Sequence, residues 1–99
     1  MEKKYKGVLF MRAVITVVGK DTVGILAKVS TLCAGFGANI IDVTQTVMQD
    51  LFCMIMLCET QALSAPFADF VDQAEKLGEE NGLKIHVMHE DLFNSMHRI

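Results

Sequence analysis

The chain has 99 residues, 52% of them hydrophobic and 21% charged, with a formal net charge of −3. That length holds one domain, and so high an apolar content excludes intrinsic disorder. No apolar stretch approaches the roughly 18–20 residues that cross a bilayer, which excludes a transmembrane helix. A domain this small buries only somewhat more than about 60% of its unfolded surface. The apolar excess therefore calls for an unusually rich core or for apolar surface covered by a partner.

In chain order, the first segment is basic: Lys3, Lys4, Lys6 and Arg12 against Glu2 give residues 1–12 a net +3. Residues 13–99 carry five basic and eleven acidic residues, a net −6. An acidic body argues against duplex nucleic acid, whose phosphates are neutralised by Lys and Arg. The basic start lacks the apolar h-region and cleavage site of a secretory signal. Because Met11 stands directly before the first strand-like run, residues 1–10 read as a flexible appendage or upstream start, in preference to a polybasic membrane contact.

Arg12 to Gly19 is β-branched and predicts a strand. After the loop Gly19-Lys20-Asp21-Thr22-Val23-Gly24, the residues Ile25, Val29, Leu32, Cys33 and Phe36 recur at helical spacing, with Asp21 or Thr22 as the N-cap and Gly35 and Gly37 at the end. Asn39 to Met48 predicts a second strand, Gln49-Asp50 a tight turn, and Leu51 to Cys58 an unbroken apolar third strand. Ser64 and Pro66 open a second helix bearing Phe67, Phe70, Val71, Ala74 and Leu77, and Asn81-Gly82 closes it. Leu83, Ile85 and Val87 alternate with Lys84, His86 and Met88 in a last strand, and Leu92, Phe93, Met96 and Ile99 predict a terminal helix.

The order is βαββαβ plus a tail helix. This is the α+β, ferredoxin-like arrangement, with an antiparallel four-stranded sheet and both helices on one of its faces. Segment 51–58 is expected at the sheet centre, yet it is apolar at odd and even positions alike. A strand with one face in water should alternate, so the bare face must be covered by the terminal helix, by another subunit, or by both.

Chemistry-bearing constellations are few. Ser30 and Thr31 have no evident base, and no acidic pair shares a surface, so no catalytic residue is assigned. His86 and His89 are three apart and point to opposite strand faces, and no C-x-x-C is present; no metal or cofactor is expected. Cys33, Cys53 and Cys58 sit in apolar runs and read as free thiols in a reducing cytoplasm. The loop 19–24 lacks the Lys-Ser/Thr of a phosphate loop. It also lacks the arginine that an acylphosphatase-like hydrolase on this fold needs. The inner strands lack the aromatics of an RNA-recognition module. What remains is a glycine-bearing loop at a helix N-terminus, where backbone N–H groups and the dipole favour an anion; the bland alternative is turn geometry alone.

Three blocks, Ile15-Thr16-Val17-Val18-Gly19-Lys20-Asp21, Gly24-Ile25-Leu26-Ala27-Lys28-Val29-Ser30 and Asn39-Ile40-Ile41-Asp42-Val43-Thr44-Gln45, together resemble an ACT domain. The resemblance spans nearly all of 11–99, expected as a single domain. It is strongest to small stand-alone ACT proteins related to the glycine-cleavage repressor, whose tail the ending His89 to Ile99 resembles. It implies a regulatory, non-catalytic module that forms a homodimer and binds a small molecule, an amino acid above all, between subunits. Carried over by position, the ligand site is Lys20, Asp21, Thr22, Val23, Gly24 and Ile25 on one side, with Asn39 and Ile40 on the other. Asp21 would hold an ammonium or simply cap the helix. The proline common before the loop glycine is Val23 here. The alternative function is a protein-interaction module regulating a partner enzyme or regulator through its apolar sheet face, without a metabolite.

Overall fold

The computed structural model describes residues 12–20 and 24–96. The expected appendage at 1–10, the loop residues Asp21, Thr22 and Val23, and His97 to Ile99 lie outside them. The elements are β1 (Arg12–Lys20), α1 (Ile25–Phe36), β2 (Asn39–Met48), β3 (Leu51–Glu59), α2 (Phe67–Asn81), β4 (Lys84–His89) and α3 (Glu90–Met96). The strands form one antiparallel sheet in the order β2-β3-β1-β4. The βαββαβ order with a tail helix is thus as expected, and β3 occupies an inner position.

Strand alternation sends one set of side chains toward the helices. Ala13, Ile15 and Val17 of β1 lie opposite Cys58, Met56 and Met54 of β3, and Ile15 and Val17 lie opposite Val87 and Ile85 of β4. All of these are buried. Onto them α1 sets Ile25, Val29 and Cys33, while α2 sets Phe70, Ala74 and Gly78. Phe70 is fully enclosed, with Phe36 at 5.3 Å and Phe67 at 6.4 Å between tilted ring centroids. Each large apolar side chain so buried contributes about 1.5–3 kcal/mol.

In β2 the register against β3 shifts at a bulge between Ile40 and Asp42. Ile40 and Val43 are three residues apart and would face oppositely in a regular strand. The extra residue restores the phase, so both pack against the core.

The other face carries Val14, Thr16 and Val18 of β1, Leu51, Cys53, Ile55 and Leu57 of β3, and His86 and Met88 of β4. α3 packs on β1 and β4 and is anchored by a bidentate pair: Arg12 Nε donates to Glu90 Oε1 at 2.9 Å and Nη2 to Oε2 at 2.7 Å. Val14, beside Met88, is buried, whereas Val18, Leu51 and Ile55 remain 38–43% exposed. The terminal helix therefore meets only part of the covering this face requires.

Two helical glycines separate packing from propensity. A Cβ on Gly78 would lie 2.8 Å from the Leu83 carbonyl oxygen and 3.1 Å from Ile85 Cγ1, whereas one on Gly35 meets nothing within 4 Å. Gly78→Ala is expected to destabilise the fold by about 1–3 kcal/mol through overpacking. Gly35→Ala is expected to stabilise it by up to about 1 kcal/mol. Urea unfolding of the two variants checks the opposite signs.

Candidate functional site

The β1–α1 connection leaves the sheet at Lys20, which lies opposite Leu51 in β3. α1 begins at Gly24, whose φ of 80° is left-handed, and no side chain caps it. The expectation that Asp21 or Thr22 occupies the N-cap position is corrected here: the residue there is Gly24, because the chain turns into the helix through a conformation that L side chains rarely adopt. Among the described residues, none supplies a side-chain acceptor to the first backbone N–H groups of α1; Asp21 and Thr22 lie outside them. No acidic residue lies in the first turn; instead a Cβ placed on Gly24 would have the Lys28 ammonium as its neighbour, at 3.7 Å. A cation near a helix N-terminus opposes the dipole.

The remaining expected residues divide between site and core. Lys20 is exposed and lies 3.9 Å from Asp50 across the hairpin end. Ile25 is buried under α1, and Ile40 packs against the core from β2, so their side chains serve the fold. Gly19, at the start of that loop, serves the fold: a Cβ there would meet Leu83 Cδ2 at 2.5 Å, so its smallness lets Leu83 close the core. Asn39 is exposed at the start of β2, and its Nδ2 donates to Glu59 Oε1 at 3.1 Å.

Within one chain the two halves of the expected site are far apart. Asn39 lies opposite Glu59, whereas Lys20 lies opposite Leu51. Eight strand rises separate those β3 residues, about 26 Å. The loop and Asn39 therefore occupy opposite ends of the sheet.

Sequence reasoning missed two groups of residues. Asp50 and the positive-φ residue Gln49 form the hairpin end beside Lys20; they read only as a turn, since nothing local reveals which loops a sheet brings together. At the far end Asn39, Glu59, Arg12 and Glu90 form a polar string across β2, β3, β1 and α3. The Arg12 guanidinium is held above its ordinary pKa mainly by its hydrogen bonds to Glu90, with Glu59 adding to them, against partial desolvation. A surface cleft of about 350 Å³ lined by Phe36, Ala65, Asp69, Asp72 and Gln73 includes none of the expected site residues.

Among the described residues no three His, Cys, Asp or Glu groups are placed to hold a metal. His86 lies opposite Thr16 on the open face, while His89 stacks on Phe67 with ring centroids at 4.2 Å. Among the same residues no helix is long and apolar enough to cross a membrane.

A family model described as ACT domain matches residues 11–88. The chain belongs to the ACT domain family. It is 51% identical over 86 residues to the UPF0237 protein of Methanococcus maripaludis, covering 87% of this chain and 96% of that one. The structure of an ACT domain protein from Streptococcus pneumoniae superposes with a TM-score of 0.73 at 36% identity, covering 84% of this chain and 93% of the other. A structure described as a glycine cleavage system transcriptional repressor superposes with a TM-score of 0.67 at 29% identity, covering 82% of this chain and 46% of that one. ACT domains are regulatory modules that often bind amino acids.

For this ACT domain, the left-handed φ at Gly24 makes that glycine a folding requirement whatever the site binds. Gly24→Ala is expected to lower stability by about 1–2 kcal/mol in the absence of any ligand. Equilibrium urea unfolding measures it.

Proposed function

We propose that this ACT domain is a non-catalytic, cytoplasmic regulatory module that binds a small metabolite of the amino-acid class at its β1–α1 loop, between two copies of the chain. The observation that carries this reading is the start of α1. Among the described residues no side chain caps its N-terminal N–H groups, and the Lys28 ammonium lies close to Gly24. A ligand carboxylate is the group that would relieve both, since an anion at a helix N-terminus gains from hydrogen bonds and dipole together.

The second half of the site supports a role for two copies. β2 is an edge strand, and its outer half, Val43-Thr44-Gln45-Thr46-Val47-Met48, carries no lysine, proline or charge to discourage edge-to-edge pairing. If two β2 strands pair antiparallel about a two-fold axis, Asn39 of each copy arrives beside Met48 of the other. Met48 in turn lies opposite Leu51, and Leu51 opposite Lys20. The pairing moves each Asn39 from the wrong end of its own sheet to the loop end of its partner's. One amide N–H of Asn39 is already committed to Glu59, which makes the amide oxygen the atom it offers to a ligand's ammonium.

A protein-interaction role without a metabolite is the second reading. It is favoured by the exposed open-face residues Val18, Leu51 and Ile55 and by Leu92 and Met96 of α3.

Light scattering is expected to give the mass of a dimer at micromolar concentration, and calorimetric titration with the twenty amino acids to give saturable heat with one or a few. Thr46→Lys, on the exposed edge, is expected to shift the chain toward monomer and weaken that heat while leaving the circular dichroism spectrum unchanged. A monomer that still binds an amino acid would remove the shared-site element. A folded dimer that gives no heat with any amino acid would remove the ligand class and favour the second reading.

A further inference from the structure

The open face of the sheet is uneven. α3 lies over its Arg12 end, against β1 and β4, and Val14 at that end is buried. At the other end Val18, Leu51 and Ile55 remain 38–43% exposed. Pairing makes these three neighbours, since Val18 lies opposite Cys53, between Leu51 and Ile55 on the same face of β3. α3 adds a second apolar surface. Phe93 is half-buried, whereas Leu92 and Met96, four residues apart and so on one side of the helix, are 52% and 58% exposed. Single exposed apolar residues are ordinary, but here a contiguous patch and a ridge stand at opposite ends of one face. Charge divides the same way. The seven residues of α3 include Glu90 and Asp91 and no basic residue. Glu90 is paired with Arg12, and Asp91 is exposed. At the bare end Lys84 lies opposite Val18 and is exposed.

We propose that two copies of this chain pair through their open faces about a two-fold axis, each setting Leu92 and Met96 on the Val18, Leu51 and Ile55 patch of the other, with Asp91 facing Lys84 of the other copy. An apolar ridge with an acidic flank at one end, and an apolar patch with a basic flank at the other, suit a second copy turned end for end. A two-fold axis crossing the face near the middle of β1 exchanges the two ends, so each contact forms twice. The patch is small, and interfaces below about 1,200 Å² are weak, so this association belongs above micromolar concentration. Its exposed charges set the register more than the strength. The contact uses the sheet face and α3, not the β2 edge, and stands whether or not the edges pair. With both, edge-paired dimers join into a tetramer.

The test uses the full chain carrying Thr46→Lys, which removes edge pairing, in sedimentation velocity from micromolar to millimolar concentration. The expected result is a monomer that converts to a dimer as concentration rises. Met96→Glu or Leu92→Glu in that chain is expected to weaken the dimer by roughly tenfold or more, through lost apolar burial. Both positions are exposed, so the circular dichroism spectrum is expected to stay unchanged. Asp91→Lys and Lys84→Glu are each expected to weaken the dimer, and the two together in one chain to restore it. The inference is overturned if the Thr46→Lys chain stays monomeric throughout, if neither α3 substitution changes the dimer, or if the paired charge reversal fails to restore it. A monomer in which Lys84 cross-links to Lys3, Lys4 or Lys6 of the same chain would give the face to residues 1–10 and overturn it as well.

Discussion

The register of β1 against β3 is the constraint from which the rest of the molecule follows. It sets Ala13, Ile15 and Val17 against Cys58, Met56 and Met54, and a slip of one residue would turn either set away from the helices. β3 cannot specify that register by itself, because both of its faces are apolar and either would be accepted beneath α1 and α2. The choice is made at its margins. β1 alternates buried aliphatics with Thr16 and ends in charge at Arg12 and Lys20. The two-residue turn Gln49-Asp50, with Gln49 at positive φ, then fixes where β3 begins relative to β2. A strand with two greasy faces is tolerable only because its neighbours carry the information it lacks.

That arrangement places the polar string and the loop at opposite ends of the sheet. Asn39, Glu59, Arg12 and Glu90 connect the edge strand to the terminal helix across every intervening element. The bidentate Arg12–Glu90 pair is partly exposed and so contributes little stability on its own. Its effect is geometric, since it decides where a seven-residue helix with no buried residue comes to rest. The open face is consequently covered near Val14 and bare near Val18 and Leu51.

Most of this fold could be read from side-chain periodicity. The apolar spacing of Ile25, Val29 and Cys33 and of Phe70 and Ala74 marked the two helices, and the unbroken run from Leu51 marked the strand that needs cover on both sides. Three features could not be read that way. The bulge at Ile41 breaks the alternation of β2, so the face of Val43 is set by pairing with β3, which no local pattern encodes. The cap at Gly24 looked like a side-chain cap because Asp21 and Thr22 have the right chemistry; backbone conformation decided otherwise. The candidate site was legible only as a set of positions. Its residues fall at opposite ends of one sheet, and the proposed joining of them rests on a second copy, about which a single sequence carries no distance information.

The left-handed conformation of Gly24 has a consequence for comparing this chain with its relatives. A descendant that had ceased to bind anything would still be held to glycine at that position, since the entry into α1 demands it. Its persistence therefore records selection for folding and is silent about ligand. Asn39 is under no such obligation: it is exposed, packs on nothing in the core, and is joined to the fold by one surface hydrogen bond to Glu59. Under the proposed function, the loss or retention of that asparagine among related chains, more than of the glycine, is the trace by which an abandoned binding site would be told from a working one.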